Sequence, residues 1–285
     1  MEEATKKAQV LVEALPYILN FQGKFSVVKY GGSVMRESRL SRVVLEDIVF
    51  MSAVGMKVVL VHGGGDRISE ALSKKGLKSH FVEGLRYTDA EMIAVIKDVL
   101  LSISQELASL IGELGGKAKI VFPEEKVVKA IKFTLPEADL GLVGEIKEVN
   151  RSYFEDICKD PVIPIVPPVA YGADGLFYNI NADSAASKIA TSLSAVKLVF
   201  LTDTQGIMRD KTKSEGLISV LRPFQAKSLI EEGVITSGMV PKVLAGLSAM
   251  ESGVAKVHLV SGHISHALLL EIFTTQGVGT EIVPE

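Results

Sequence analysis

A single cysteine, Cys158, stands in a chain of 285 residues, and tryptophan is absent. One thiol can neither close an internal disulfide nor build a cysteine zinc site, and its neighbours mark it as an incidental small apolar residue. Long apolar runs are missing as well: no stretch approaches the ~20 residues needed to cross a bilayer. The opening MEEATKKAQVLVEAL carries acids and no extended apolar core, unlike a secretory leader. Charge of one sign is not in excess either. Thirty-one basic residues face 34 acidic ones, for a net charge of -3, which leaves no footprint for nucleic acid or an anionic membrane. These absences predict a cytoplasmic globular protein without a nucleic-acid or membrane partner and with no metal site built from its own side chains. At 47% hydrophobic and 23% charged residues, it can bury one large core or two modest ones.

Several familiar catalytic signatures are also lacking. There is no Walker A sequence, no complete GxGxxG fingerprint, and no HRD or DFG in kinase context. A P-loop NTPase, a Rossmann dehydrogenase and a eukaryotic-type protein kinase are therefore poor fits.

What is present is an alternation of short β-branched runs, glycine-rich turns and helical patterns. Phe25 to Lys29 and Val58 to Val61 read as strands that stop at Gly31-Gly32-Ser33 and at His62-Gly63-Gly64-Gly65. Helices are predicted at about 66–75, 89–111, 182–194, 223–232, 238–252 and 265–273. Further strands fall at 162–166, 197–201, 256–260 and 280–283, with a hairpin from Tyr171 to Ile180. Residues 112–150 break into short strands and turns, and Pro164 argues against an ordinary central strand position. Continuous apolar strands between helices imply an α/β sandwich whose sheet is covered on both faces. Ahead of this pattern, Val10, Leu11, Ala14, Leu15, Ile18 and Leu19 stripe an amphipathic helix. That helix either packs on its own subunit or joins it to another.

The chemistry concentrates at the glycine turns. Glycine brings backbone N–H groups close to an anion, and a following helix adds its N-terminal donors. Either turn alone could be only a tight turn; two at strand ends would face one crevice. His62 shapes its turn rather than binding metal. Lys29 ends a strand, and Lys242 lies in the first turns of a helix, where a cation opposes the local dipole unless an anion compensates it. Asp183 opens the helix at 182–194, either as an ordinary first-turn acid or as a holder of the two lysines. Arg86 either makes a surface ion pair or grips a carboxylate with its planar fork. Asn179 and Asn181 are cap or turn candidates. Thr202, Asp203, Gly206 and Met208 form a plausible nucleotide edge. Two cations with converging amides address the difficulty of phosphoryl transfer to a carboxylate, which is holding two anions together.

Taken in order, VVKYGGS at 27–33, VHGGG at 61–65, GLRYT at 84–88, NINADSAA at 179–186, LTDTQGIM at 201–208 and SGMVPKV at 237–243 resemble the amino acid kinase family, within it the branch acting on N-acetyl-L-glutamate. The resemblance implies a three-layer αβα sandwich around a mainly parallel open sheet of about eight strands, of carbamate kinase-like fold. It implies an oligomerisation helix at 1–22, an acyl amino acid lobe at 23–180 and an ATP lobe at 181–285 within one continuous domain. Lys29, Lys242 and Asp183 become catalytic; Gly64, Gly65, Arg86 and Asn179 bind the acceptor. Gly31, Gly32, Thr202, Asp203, Gly206 and Met208 contact ATP, whose Mg2+ is held through phosphates and water. Glu271, Gly277 and Gly279 resemble part of a feedback site for L-arginine, a feature of forms assembled as a homohexamer (a trimer of dimers) rather than a dimer. The chain departs from the family pattern after Gly115-Gly116-Lys117-Ala118, where Lys119-Ile120-Val121-Phe122-Pro123-Glu124 replaces a segment of the GLSGKDG type, and Tyr30 stands where leucine or phenylalanine is usual. The alternatives are a related kinase for another small carboxylate or carbamate, and a non-catalytic arginine sensor.

Overall fold

The computed structural model describes residues 2–35, 37–209, 216–236, 238–275 and 277–285. Helix α1 (Glu2–Phe21) precedes strand β1 (Phe25–Tyr30), α2 (Ser38–Ala53), β2 (Lys57–His62) and α3 (Gly65–Lys74). A short hairpin of β3 (Phe81–Val82) and β4 (Leu85–Arg86) leads to α4 (Ala90–Glu113), β5 (Lys117–Ile120), β6 (Val128–Lys132) and β7 (Val143–Val149). Next come α5 (Arg151–Ile157), β8 (Val162–Val166), β9 (Val169–Gly172), β10 (Phe177–Ile180), α6 (Ala182–Ser192) and β11 (Lys197–Thr202). The chain ends with β12 (Val220–Leu221), α7 (Pro223–Glu231), α8 (Met239–Glu251), β13 (Lys256–Ser261), α9 (Ala267–Phe273) and β14 (Thr280–Ile282).

The principal sheet has eight strands in the order β12-β14-β13-β11-β1-β2-β8-β5. It is parallel from β13 to β5, and β14 runs antiparallel to β13. Side chains of a strand alternate between faces, and here both faces are buried. Val27, Val59, Val61, Leu198 and Phe200 belong to a core covered by α6, α7 and α8. Val28, Val58, Leu60, Val199 and Leu201 belong to a second core under α2, α4 and α9. Three layers result, as the uninterrupted apolar runs predict.

Strand β1 pairs with β2 on one side and β11 on the other, so the two halves of the sequence share one sheet. The crevice that such a reversal opens lies at the C-terminal strand ends. Pro164 is accommodated because β2 pairs with β8 only from Ile165 onward, while β5 lies opposite Pro164 on the other side. The segment 112–150 contributes an unpredicted feature: β10, β7, β6 and β9 close into a small barrel. Its closure uses the parallel pairs β6–β9 and β7–β10, contacts between distant residues that local periodicity does not reveal.

The apolar stripe of α1 divides. Ala14, Tyr17, Ile18 and Phe21 pack on the second core, whereas Val10, Leu11, Leu15 and Leu19 are 48–67% exposed.

Candidate active site

Lys29 is the fifth residue of β1, and its neighbours along the strand are buried on both faces. Its ammonium group therefore emerges at the sheet edge with little water, 3.1 Å from Asp183 Oδ1. Lys242, in the first turns of α8, donates to Asp183 Oδ2 at 2.7 Å. Asp183 sits in the first turn of α6, where Asn181 caps the helix by accepting the Asp183 and Ser184 N–H groups at 2.9 and 3.1 Å. The cap aims the carboxylate out of the helix start, and both lysines converge on it. The cost of a lysine near the start of α8 is offset by this pair.

Burial is the largest influence on each member of the Lys29–Asp183 pair. It pulls the Lys29 ammonium below its ordinary value, with Lys242 adding to the effect and Asp183 opposing it. Burial alone would raise the Asp183 carboxyl, but the two ammonium groups outweigh it and hold the acid below the usual range. Asp183 thus stands as an ionised carboxylate that both lysines face, with Asp203 adding a further attraction on Lys29.

Two cavities meet at this cluster. The first, about 270 Å³, is lined by Lys29, Gly64, Gly65, Phe81, Arg86, Asn179 and Asp183 among others. Arg86 enters from the β3–β4 hairpin and lies over the Phe81 ring at 4.6 Å. Its guanidinium donates to the Gly65 carbonyl and Ser69 Oγ, each at 2.9 Å, and to Ser79 Oγ. All three are neutral acceptors, and no carboxylate among the described residues lies within ion-pair distance of it. Asn179 faces the same space from β10 and donates to Thr88 Oγ1 at 3.1 Å. Helix α3 also begins here, with Gly64 at its N-cap giving no side-chain cap, and the positive end of its dipole faces this space. The surface ion pair that the sequence allowed for Arg86 is absent from the described residues.

The second cavity, about 370 Å³, is lined by Thr202, Asp203, Gly206, Met208, Thr236, Met239 and Lys242 among others. The nucleotide edge expected from LTDTQGIM is therefore one wall of a real cleft. Gly32 lines the first cavity, and Gly31 packs beside Lys29 Nζ next to it. A Cβ on Gly31 would lie 2.9 Å from Lys29 Nζ. Gly32 adopts φ +75°, and a Cβ there would come within 2.8 Å of Asp203 Oδ1. The positive φ makes Gly32 the position that requires glycine, while at Gly31 a side chain would displace the Lys29 ammonium. Among the described residues no cluster of three or more His, Cys, Asp or Glu side chains is arranged for a metal ion. Cys158 is buried, with its thiol pushed up to about 11 by burial, and lies in neither cavity.

The model of the amino acid kinase family matches residues 24–261, which contain every residue just described. The chain belongs to the amino acid kinase family. An acetylglutamate kinase of Caldanaerobacter subterraneus subsp. tengcongensis is 46% identical over 98% of this chain and 94% of its own. That of Aquifex aeolicus is 43% identical over the whole of both chains. Among solved structures, the N-acetylglutamate synthase of Neisseria gonorrhoeae complexed with coenzyme A and N-acetyl-glutamate has a TM-score of 0.87 and 25% identity. The match covers 98% of this chain but only 63% of that one. A carbamate kinase from Giardia lamblia bound to AMP-PNP shares the fold, with a TM-score of 0.69 at 15% identity over 92% of this chain and 99% of that one.

This amino acid kinase has a further cavity away from the lysine pair, about 760 Å³ in volume, between α1 and the α9–β14 region. Tyr17, Asn20, Phe21 and Lys24 line one side; Lys197, Glu271, Gly277, Gly279 and Glu281 line the other. Glu271 accepts the Val278 and Gly279 N–H groups at 2.8 and 3.1 Å and faces His258 Nδ1 at 2.8 Å. His258 Nε2 lies 3.0 Å from Lys197 Nζ. Burial lowers the Lys197 ammonium to about 8. The residues likened to an arginine site are thus brought together.

Ser237, which opens the SGMVPKV motif, lies outside the described residues. The divergent segment at 119–124 belongs to edge strand β5 and the turn after it, and lines none of the three cavities. Sequence reasoning missed Phe81, Leu100 and Val143 as walls of the first cavity. Phe81 had a local signal, three residues before Gly84 in a hairpin. It also missed Ser104 behind His62, and the Lys197–His258–Glu271 chain, whose members are 61 and 13 residues apart.

Proposed function

We propose that this chain transfers the γ-phosphoryl group of ATP to the side-chain carboxylate of N-acetyl-L-glutamate, giving the acyl phosphate and ADP, as a step of arginine biosynthesis. The observation that carries the reading is the convergence of Lys29 and Lys242 on Asp183 at the junction of two cavities. Relatives named acetylglutamate kinase, 42–46% identical over nearly the whole chain, support the choice of acceptor.

Arg86, whose hydrogen bonds among the described residues go to neutral acceptors, takes the α-carboxylate of the acceptor, and Asn179 orients the acyl amino acid. Gly64 and Gly65 direct backbone N–H groups at the reacting end. ATP occupies the cleft walled by Thr202, Asp203, Gly206 and Met208, with its phosphates over Gly31 and Gly32. The acceptor carboxylate is ionised near neutral pH and needs no base. One of its oxygens bonds to the γ-phosphorus as the bond from phosphorus to the bridging oxygen breaks, and the electron pair leaves with ADP. Lys29 and Lys242 stabilise charge on the transferring group, and Asp183 keeps the two mutually repelling ammonium groups in place. Mg2+, held by the phosphates and water, would neutralise the donor.

On this reading 23–180 serves as the acceptor lobe and 181–285 as the ATP lobe, and the enzyme works in the cytoplasm. The cavity beside Glu271 accepts L-arginine as a feedback inhibitor, and the exposed apolar side of α1 joins dimers into a hexamer.

The test is ADP formation by purified protein with ATP, Mg2+ and N-acetyl-L-glutamate, with other amino acids and carbamate as competing acceptors. N-acetyl-L-glutamate should give the highest kcat/KM. Preference for another acid or carbamate redirects the substrate; no ADP with any of them defeats the kinase reading.

A further inference from the structure

The proposed acceptor chemistry uses the glycines of the β2–α3 turn but leaves unexplained a buried histidine at its base. His62 closes β2 and is fully buried. Its Nδ1 lies 2.9 Å from the Gly63 carbonyl oxygen and its Nε2 lies 2.7 Å from Ser104 Oγ on α4. A carbonyl oxygen can only accept, so Nδ1 carries the proton; Nε2 then has a lone pair and accepts the Ser104 hydroxyl proton. Ser104 fixes the tautomer, and the tautomer fixes the carbonyl.

The backbone consequence is specific. The Gly63 N–H is already committed to the Tyr30 carbonyl at 2.7 Å. With its own carbonyl held by His62, the plane of the Gly63–Gly64 peptide cannot turn. The Gly64 N–H is trans to that carbonyl across a rigid bond, so it points away from His62, and Gly64 lines the first cavity. No partner for this N–H is found among the described residues. Helix α4 braces the same turn from behind: a Cβ on Gly64 would lie 2.9 Å from Leu100 Cδ2 and 3.0 Å from Ile103 Cδ1.

We propose that His62 and Ser104 are positioning residues for phosphoryl transfer, locking the Gly63–Gly64 peptide so that the Gly64 N–H is presented to negative charge in the acceptor cavity. This inference rests on the kinase reading above. Neither side chain touches substrate, and the ring is no acid or base in the reaction. Burial first, with the Arg67 and Lys29 charges adding to it, lowers the ring to about 4, so it stays neutral at working pH.

Two measurements on the full chain test it. Ring nitrogens of ¹⁵N-histidine-labelled protein should report His62 protonated at Nδ1 alone, without change from about pH 5.5 to about 8.5. An Nε2–H ring, or one that titrates in this range, overturns the proposal. In kinetics, Ser104→Ala and His62→Phe should lower kcat/KM for the acceptor by about tenfold while KM for ATP stays within about twofold. His62→Asn, which keeps a donor at the Nδ1 position, should recover most of the loss. Unchanged acceptor kinetics, an equal loss on the ATP side, or no rescue by Asn overturns it. Should the variants not fold, the ring tautomer of the native protein still decides. Native protein that turns over no acceptor sinks the kinase reading and leaves the tautomer readable; turnover with the wrong tautomer sinks only the present inference.

Discussion

Lys242 and Arg86 approach the same junction from different cavities, so their losses are expected to look different. Lys242→Ala removes charge where it develops in the transition state and should lower kcat by roughly a hundredfold or more, with acceptor KM little changed. Arg86→Ala removes a bidentate grip on the acceptor and should raise acceptor KM at least about tenfold while largely sparing kcat. Steady-state kinetics with each substrate varied separates the two. Lys29 gives a pH signature. Its folded-state value lies below the ordinary 10.5, so the ammonium is intact below that lowered value and is lost as pH rises through it. The alkaline limb of kcat should therefore begin below the normal lysine range, and Lys29→Arg should move it upward. Asp183 stays ionised well below the usual carboxylate range and contributes no acid limb near neutrality. These residues were legible because each lies in a short local motif: Lys29 before two glycines, Asp183 after a capping asparagine, Lys242 at a helix start. Ser104 was not. It sits mid-helix with ordinary neighbours, and only the folded chain brings it to a residue 42 positions earlier.

Helices α2 and α9 are joined by a contact with its own pH dependence. Asp47 of α2 is 1% exposed and lies 2.6 Å from His266 Nδ1, at the start of α9. Burial, the largest influence, raises its carboxyl from 3.8 to about 6, against the lowering effect of His266 and of the Leu268 and Leu269 N–H groups. Between these values the folded protein keeps a proton that the unfolded chain releases. Stability from this group is therefore greatest below the unfolded value and falls as pH rises through the window, by up to about 3 kcal/mol. Asp47→Asn should flatten that dependence, as measured by thermal unfolding at about pH 4.5 and about pH 6.5. At this scale the reading of the sequence was nearly complete for helices and central strands, since apolar period and glycine punctuation agree there. It was silent on β3, β4 and β12, two residues each, which are too short to show any period. It was silent too on the closing pairs of the small barrel, which depend on residues far apart in the chain.

For the whole molecule, α1 is the element with the most apolar surface left uncovered, and the proposed hexamer would cover it. One part of its stripe is spent on α9 and the second core, while Val10, Leu11, Leu15 and Leu19 face outward. If the proposed hexamer and arginine site hold, removing residues 1–20 should give a smaller assembly by light scattering and weaken inhibition by L-arginine at least about tenfold, because Tyr17 and Asn20 leave the third cavity. Catalysis without arginine should persist. The helix itself was legible from its stripe; how the stripe divides between its own subunit and the outside was not, because both uses select the same side chains. The pairing of β1 with β11 has a last consequence. The strand carrying Lys29 is hydrogen-bonded directly to β11, so the residues on either side of position 180 are held in one continuous sheet. Arg86 and Lys242 lie outside that sheet, the first on the two-stranded β3–β4 hairpin and the second in the first turns of α8. Asp183 ties the sheet to that outer layer, since its two oxygens join the lysine of β1 to the lysine of α8.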